Sequence, residues 1–132
     1  MAETTEFELV TPERLVLSER AEMVVVPGSE GLFAAMPRHA PFLPTLKPGV
    51  LEVYEGGKVK RRIFVAGGFA EVTPERLTVL AEEAVPVAEI DRAQVEARLK
   101  DLKDDLTAAK SDAERDGIKV AIEVAEAKLK AA

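Results

Sequence analysis

The chain contains no cysteine and no tryptophan, and its 132 residues include one histidine and one tyrosine. Without cysteine it has no disulfide, no thiolate nucleophile and no sulfur-ligated metal site. The single histidine, His39, does not supply enough ligands for a metal site. The only serines are Ser18, Ser29 and Ser111, and they do not indicate a hydrolytic triad. The composition therefore argues against an enzyme with its own active site, and we expect a core held by packing alone.

Positive charge is also scarce. The net charge is −6 and the isoelectric point is about 4.9, whereas nucleic-acid-binding proteins are usually basic. One basic cluster occurs, at Lys58, Lys60, Arg61 and Arg62. Only Tyr54 lies near it, so the aromatic stacking partners of single-strand binders are missing. We therefore predict no nucleic-acid partner and a solvated basic strand.

Long apolar runs are absent. No stretch approaches the roughly 20 apolar residues of a membrane span. The acidic start, MAETTEFE, lacks the basic and apolar regions of a signal peptide. We therefore expect any membrane association to run through partner proteins.

The composition changes near Ala88. Every proline, every aromatic residue and seven of the eight glycines precede Ala88, whereas residues 89–132 contain only Gly117 from these classes. Short runs rich in Val, Leu, Ile and Phe alternate with turn signals before this point, which is typical of an all-β sandwich or barrel. The sequence thus predicts a β-sandwich of about eight to ten short strands over residues 1–88 and a second element over residues 89–132.

Two turn signals support the strands. Gly56 and Gly57 separate two apolar runs, and a glycine pair tolerates the positive φ angles of a two-residue hairpin turn. The pentapeptide TPERL occurs at Thr11–Leu15 and again at Thr73–Leu77, each time between apolar runs. Both copies predict proline-initiated turns, and independent turn chemistry explains them better than an ancient duplication, since the flanking runs differ.

After residue 88 the apolar period becomes helical. Apolar residues spaced 4, 3, 4 and 3 apart form one stripe: Val95, Leu99, Leu102, Leu106 and Ala109. A second stripe, spaced 4, 3 and 4, consists of Ile118, Ile122, Ala125 and Leu129. Ser111 with Glu114 has a capping-box pattern, so we predict that the second helix begins there, with Gly117 as the competing turn site. The expected product is an antiparallel two-helix hairpin.

Residues 27–49, which we call the proline-rich segment, hold five of the eight prolines and His39. Each proline fixes φ at about −65° and removes a backbone donor, so the segment must consist of short extended pieces joined by turns. Apolar residues between these turns are predicted to anchor it in the core: Phe33, Met36, Phe42, Leu43 and Leu46. We expect a stiff lobe, in which His39 either bonds to the loop backbone or makes a partner contact.

Three motifs in and beside this segment carry a family resemblance. They are VPGSEG at Val26–Gly31, the string at Pro37–Pro41 and LKPGVLEV at Leu46–Val53. In this order they resemble the ε subunit of bacterial F-type ATP synthase, and the resemblance covers nearly the whole chain.

The resemblance implies a non-catalytic subunit of the rotary central stalk. Its sandwich is expected to bind the γ subunit and the ring of membrane c subunits, at the cytoplasmic face of the bacterial inner membrane. Carried over by position, the candidate contact residues are Glu30, Leu32, Arg38, His39 and Pro41. In this family the helical hairpin also inhibits ATP hydrolysis by extending toward the α/β catalytic head.

Many bacterial relatives begin the hairpin with Ile or Leu, Asp, two variable residues, Arg and Ala, a motif that contributes to ATP binding. This chain has Ile90 and Asp91, but Gln94 and Val95 replace the Arg and Ala. A guanidinium clamps phosphate and a glutamine does not, so Arg92 or Arg98 would have to substitute. The structural alternative is that Asp91 caps the helix. ATP as a regulatory ligand is therefore an open expectation, and no other cofactor is expected.

A function of a different class also fits the composition. A stand-alone β-sandwich that binds a small ligand, with the helical hairpin as a regulatory appendage, would have the same strands and helices. It is distinguished by a monomeric chain that binds a small molecule.

Overall fold

The computed structural model describes residues 3–132. Over that range the chain forms nine β-strands, one short 3₁₀ turn and two α-helices. The strands are β1 (Thr5–Val10), β2 (Leu15–Ala21), β3 (Met23–Gly28), β4 (Gly31–Ala35), β5 (Gly49–Glu55), β6 (Lys58–Ala66), β7 (Phe69–Val72), β8 (Arg76–Leu80) and β9 (Glu83–Pro86). The helices are α1 (Arg92–Ala108) and α2 (Asp112–Ala131).

The strands form two sheets that enclose one core. One sheet has the order β2-β1-β8-β7 and the other β4-β3-β5-β6-β9, and among the described strands only β1 and β8 pair in parallel. Burial alternates along β1, where Phe7 and Leu9 are fully buried and Glu6 is exposed, because successive side chains point to opposite faces. The predicted β-sandwich of eight to ten strands is confirmed.

The predicted turns are present. Gly56 and Gly57 join β5 to β6 with φ angles of 61° and 75°, which residues with a side chain rarely adopt. The first TPERL copy closes through reciprocal main-chain bonds between Thr11 and Arg14, of 3.0 and 3.2 Å. In the second copy Thr73 and Arg76 take the same positions, and the Thr73 hydroxyl accepts from the Arg76 amide at 3.1 Å.

Both helices begin at polar caps. The Asp91 side chain accepts the Gln94 amide at the start of α1, and the Ser111 side chain accepts the Glu114 amide at the start of α2. These bonds satisfy amides that have no partner within the helix. The predicted start at Ser111 is confirmed, and Gly117 lies inside α2.

The two helices run antiparallel. The predicted stripe on α1 is nowhere fully exposed, with Leu102 at 4% exposure, and Ala125 on α2 is at 6%. Arg92, the first residue of α1, donates to the carbonyl oxygen of Leu129 near the end of α2, at 3.0 Å. The predicted helical hairpin is therefore confirmed.

Main-chain contacts divide the chain into two compact units. The sandwich unit ends at Pro86, and the second unit runs from Val87 to Ala132. Neither helix of the described residues combines the length and apolarity that crossing a membrane requires.

Candidate functional site

The proline-rich segment is closed on itself by hydrogen bonds. The Ser29 amide donates to the Thr45 carbonyl at 2.9 Å, and the hydroxyls of the same two residues lie 2.7 Å apart. The Lys47 amide donates to the Pro27 carbonyl at 2.9 Å. The two ends of the segment therefore lie side by side, although about 20 residues separate them along the chain.

The middle of the segment is bonded to β7. Phe42 and Val72 exchange two main-chain hydrogen bonds, of 3.0 and 2.8 Å, and the Ala70 amide donates to the Pro44 carbonyl at 2.9 Å. Pro44 is buried. These bonds hold the segment on the sandwich, as a stiff lobe requires.

Arg38 occupies a strained backbone position. Its φ angle is 67°, and its amide donates to the Pro74 carbonyl at 2.8 Å. Its guanidinium pairs with the carboxylate of Glu3. Arg38 therefore shapes the loop and has its charge balanced within the chain, although its side chain is 76% exposed.

His39 bonds to its own loop and packs against two rings. Its Nδ1 lies 2.6 Å from the Ala40 carbonyl oxygen, which can only accept, so Nδ1 carries the hydrogen. The imidazole centroid is 6.4 Å from the rings of Phe33 and Phe42, and those two rings meet edge to face at 5.3 Å. This arrangement gives His39 a shape-holding role that needs no proton transfer.

The apolar side chains of the segment point outward more than predicted. Leu46 is buried at 8% exposure and Phe33 packs partly against the core, but Met36, Phe42 and Leu43 are 49%, 43% and 63% exposed. The prediction that these three anchor the segment was wrong. Main-chain bonds and buried prolines hold the loop instead, which leaves the three side chains free to face solvent.

The five candidate contact residues fall into two groups. Glu30 lies in the turn between β3 and β4, and Leu32, the second residue of β4, is 72% exposed. Arg38, His39 and Pro41 lie in the loop after β4. The ring of Phe33 packs near His39 and Phe42, and because neighbouring residues of a strand point to opposite faces, the side chain of Leu32 lies on the other face of β4. Sequence reasoning missed Met36, Phe42 and Leu43 as exposed surface, and no local sequence pattern distinguishes them from buried anchors.

Three of the four residues in the basic cluster on β6 pair with glutamates. Arg61 donates to the Glu19 carboxylate from Nε at 2.8 Å, and Lys60 approaches the same carboxylate at 3.3 Å. Arg62 pairs with Glu52 at 3.4 Å. The hydrogen bond from Arg61 holds the pKa of Glu19 below its usual value. The cluster therefore joins β2 to β6 rather than forming a free cationic patch.

The candidate nucleotide residues do not converge. Asp91 is occupied as the cap of α1, and Arg92 is bonded to the Leu129 carbonyl and paired with Glu96 at 3.8 Å. Arg98 lies six residues after Arg92, about 120° around the helix.

The surface of residues 3–132 includes two shallow depressions. One, of about 320 Å³, lies beside the first TPERL turn and is lined by Thr11, Glu13, Arg14 and the start of β9. The other, of about 390 Å³, lies along α1 between Glu96 and Asp104. Within residues 3–132 there is no group of three or more carboxylate or histidine side chains arranged to hold a metal ion.

Comparison with known proteins identifies the family. Residues 4–87 match the family described as ATP synthase, Delta/Epsilon chain, beta-sandwich domain. The ATP synthase epsilon chain of Rhodospirillum rubrum is 60% identical over 99% of this chain and 98% of its own length, and that of Paramagnetospirillum magneticum is 54% identical over 87% and 86%.

A solved structure agrees with the sequence matches. A chain in the cryo-EM structure of the Euglena gracilis mitochondrial ATP synthase, OSCP/F1/c-ring, superposes with a TM-score of 0.79 at 28% identity, covering 94% of this chain and 78% of that one. The chain described here therefore belongs to the ATP synthase epsilon chain family.

Proposed function

We propose that the chain is a non-catalytic subunit of the central stalk of a proton-translocating F-type ATP synthase. Its sandwich binds the γ subunit and the c-ring and rotates with them, so that it helps to transmit torque between proton flow at the ring and ATP synthesis in the catalytic head. Family membership and the likeness to a chain of a complex that contains a c-ring support this assignment.

One observation carries the proposal most directly: the proline-rich segment exposes large apolar side chains on a rigid backbone. Leu32, Met36, Phe42 and Leu43 are each more than 40% exposed. Exposed apolar side chains grouped on one element are typical of protein interaction sites. Because main-chain bonds already fix the segment, little conformational entropy is lost when a partner covers it.

The candidate contacts play different parts in this interface. Leu32 supplies apolar area and Glu30 an exposed charge at the turn after β3. Pro41 is exposed, whereas Arg38 and His39 hold the loop through Glu3, Pro74 and the neighbouring rings. We therefore expect Leu32 to contribute more binding energy than Arg38.

The location follows from the partners. The chain attaches peripherally to the bacterial inner membrane, on the cytoplasmic face, and only through γ and the ring. Co-purification of the chain with a γ-like subunit from cell membranes tests this assignment. A chain that stays monomeric, does not associate with γ and binds a small molecule would establish the stand-alone ligand-binding sandwich instead.

The hairpin has a second proposed role, inhibition of ATP hydrolysis through the α/β catalytic head. Family membership supports this role. Basic residues on α2, Arg115, Lys119, Lys128 and Lys130, offer contacts to acidic surfaces, but they alternate with acidic residues as on any solvated helix. The test is ATP hydrolysis by the whole enzyme with and without residues 89–132. Unchanged hydrolysis would remove the inhibitory role and leave the stalk role intact.

We expect no regulatory ATP at the start of the hairpin. Asp91 and Arg92 are engaged within the hairpin, and a neutral glutamine stands where relatives place the phosphate-binding arginine. We expect millimolar ATP to leave the unfolding temperature of the chain unchanged, since a ligand that binds the folded state raises it. A concentration-dependent rise that Asp91→Ala abolishes would contradict this expectation.

A further inference from the structure

The edges of the two sheets are protected unequally. An edge strand exposes unpaired main-chain groups, and proteins usually guard it with charge, proline, a bulge or a covering loop. The four edge strands of the described residues are β2, β7, β4 and β9. β2 carries Glu19 and Arg20, β7 is covered by its bonds to Phe42, and β9 has four residues and ends in Pro86.

β4 has none of these protections. Its five residues, GLFAA, include no charge and no proline. Its register with β3 is regular from Gly31 to Ala35, without a bulge. Its second residue, Leu32, is the most exposed of the large apolar side chains in the described residues.

The register shows which main-chain groups of β4 are open, starting from Gly28. The bonds Ser29 to Thr45 and Lys47 to Pro27 flank Gly28 on the side away from β4. In an antiparallel ladder, a residue between two such bonds directs its own amide and carbonyl to the opposite side. Gly28 therefore bonds toward β4, where it lies opposite Gly31.

Hydrogen-bonded pairs recur at every second residue, so Phe33 and Ala35 also bond to β3. The amides and carbonyls of Leu32 and Ala34 then point away from β3, toward the open edge. Opposite Leu32 stands Pro27, whose carbonyl accepts from Lys47 on the side away from β4, so these two residues exchange no main-chain bond. Among the described residues no hydrogen bond reaches the outward groups of Leu32 and Ala34.

A second copy of the chain is a poor partner for this edge. Two β4 strands that pair with each other would bury far less than the roughly 1,200 Å² of a stable protein interface, and each chain carries a charge of −6. Pairing with a short strand adds binding energy most effectively when other contacts of the interface already hold the partner in place. The edge adjoins Glu30 and Leu32, which the proposed function places in the stalk interface.

Resting on that proposed function, we propose that β4 binds a partner polypeptide of the stalk by strand addition. The added segment is extended and uncharged, with small or apolar side chains beside Leu32 and Ala34. Its main chain pairs with the outward groups of those two residues, which makes it the sixth strand of the β4-β3-β5-β6-β9 sheet. Backbone pairing gives the affinity, and the absence of charge on β4 sets the partner chemistry.

Residue-resolved amide hydrogen exchange tests this without any substitution. In the free chain the amides of Leu32 and Ala34 should exchange rapidly, while those of Phe33 and Ala35 are protected by β3. Assembly with an ATP synthase that lacks its own epsilon chain should slow amide exchange at Leu32 and Ala34 at least about tenfold. Unchanged exchange in an assembled complex would overturn strand addition and leave the stalk role standing.

A matched pair of variants gives a second readout. Ala34→Pro removes one outward amide, which an edge strand tolerates, whereas Ala34→Val keeps the amide and adds side-chain volume. We expect the proline variant to bind the complex about tenfold more weakly and the valine variant to bind like wild type. Equal binding by both would overturn the proposal.

Two further outcomes separate the proposals. If wild-type chain does not bind the complex, the proposed function and strand addition fail together. If the free chain sediments as a dimer with Leu32 and Ala34 already protected, the edge pairs with a second copy and strand addition by a stalk partner is wrong. If Ala34→Pro does not fold, the exchange measurement on the wild-type chain decides.

Discussion

The guanidinium of Arg92 donates a hydrogen bond to the main-chain carbonyl of Leu129, 3.0 Å away. At the other end of the hairpin, Arg115 donates to the Ala109 carbonyl at 3.2 Å. The carbonyls of a helix's last turn have no partner within that helix, so each arginine satisfies one of them and ties the two helices together. The hairpin is thus tied at both ends without a ligand.

Arg92→Ala should loosen the open end of the hairpin. We expect faster amide exchange over the last turn of α2 and a loss of about 0.5–1 kcal/mol in unfolding free energy. The loss is small because the Arg92 side chain is largely exposed. Arg98→Ala is the matched control, since it removes a similar charge from the same helix. Equal exchange in the two variants would show that the Leu129 contact does not hold the hairpin.

Glu19→Gln should destabilise the sandwich in a pH-dependent way. The contact with Arg61 lowers the pKa of Glu19 in the folded state, so its contribution is present above the unfolded pKa and is lost as pH falls through the folded one. At pH 7 we expect a loss of about 1–2 kcal/mol in unfolding free energy. Below about pH 4 the difference from wild type should shrink.

Denaturant unfolding at several pH values measures this effect. Exposed Glu13→Gln serves as the control and should change stability little at any pH. A Glu19→Gln effect that stays constant down to pH 3 would mean that packing rather than charge accounts for it.

Gly68→Ala should disrupt the turn between β6 and β7. Gly68 has a φ of +88°, and an added Cβ would lie 1.8 Å from the Leu80 carbonyl oxygen. Gly57→Ala meets similar φ strain at +75° but open space. We expect Gly57→Ala to cost about 1 kcal/mol and Gly68→Ala more than about 3 kcal/mol in unfolding free energy. Similar losses in the two variants would contradict the close approach at Leu80.

Local patterns in the sequence predicted the elements of this fold. Period-two burial, the Gly56-Gly57 turn and the cap at Ser111 each depend on residues within a few positions of one another, so they can be identified without coordinates. Contacts distant in sequence could not be predicted. Arg61 meets Glu19 from 42 residues away and Arg92 meets Leu129 from 37.

The proline-rich segment shows the same limit. Its stiffness follows from proline chemistry and could be predicted. The exposure of Met36, Phe42 and Leu43 could not, because it depends on bonds between the loop and β7 that no local pattern reveals. Likewise, the open edge of β4 appears only once the strand order is known.

We propose above that the proline-rich segment binds the stalk partners, and this binding can be measured. The most direct measurement compares the affinity of two variants, Leu32→Asp and Leu15→Asp, for an ATP synthase that lacks its epsilon chain. Both leucines lie on the sandwich, at 72% and 53% exposure. We predict that Leu32→Asp binds at least about tenfold more weakly than wild type, because it loses buried apolar area, while Leu15→Asp binds normally. Equal affinity of Leu32→Asp and wild type would contradict the claim.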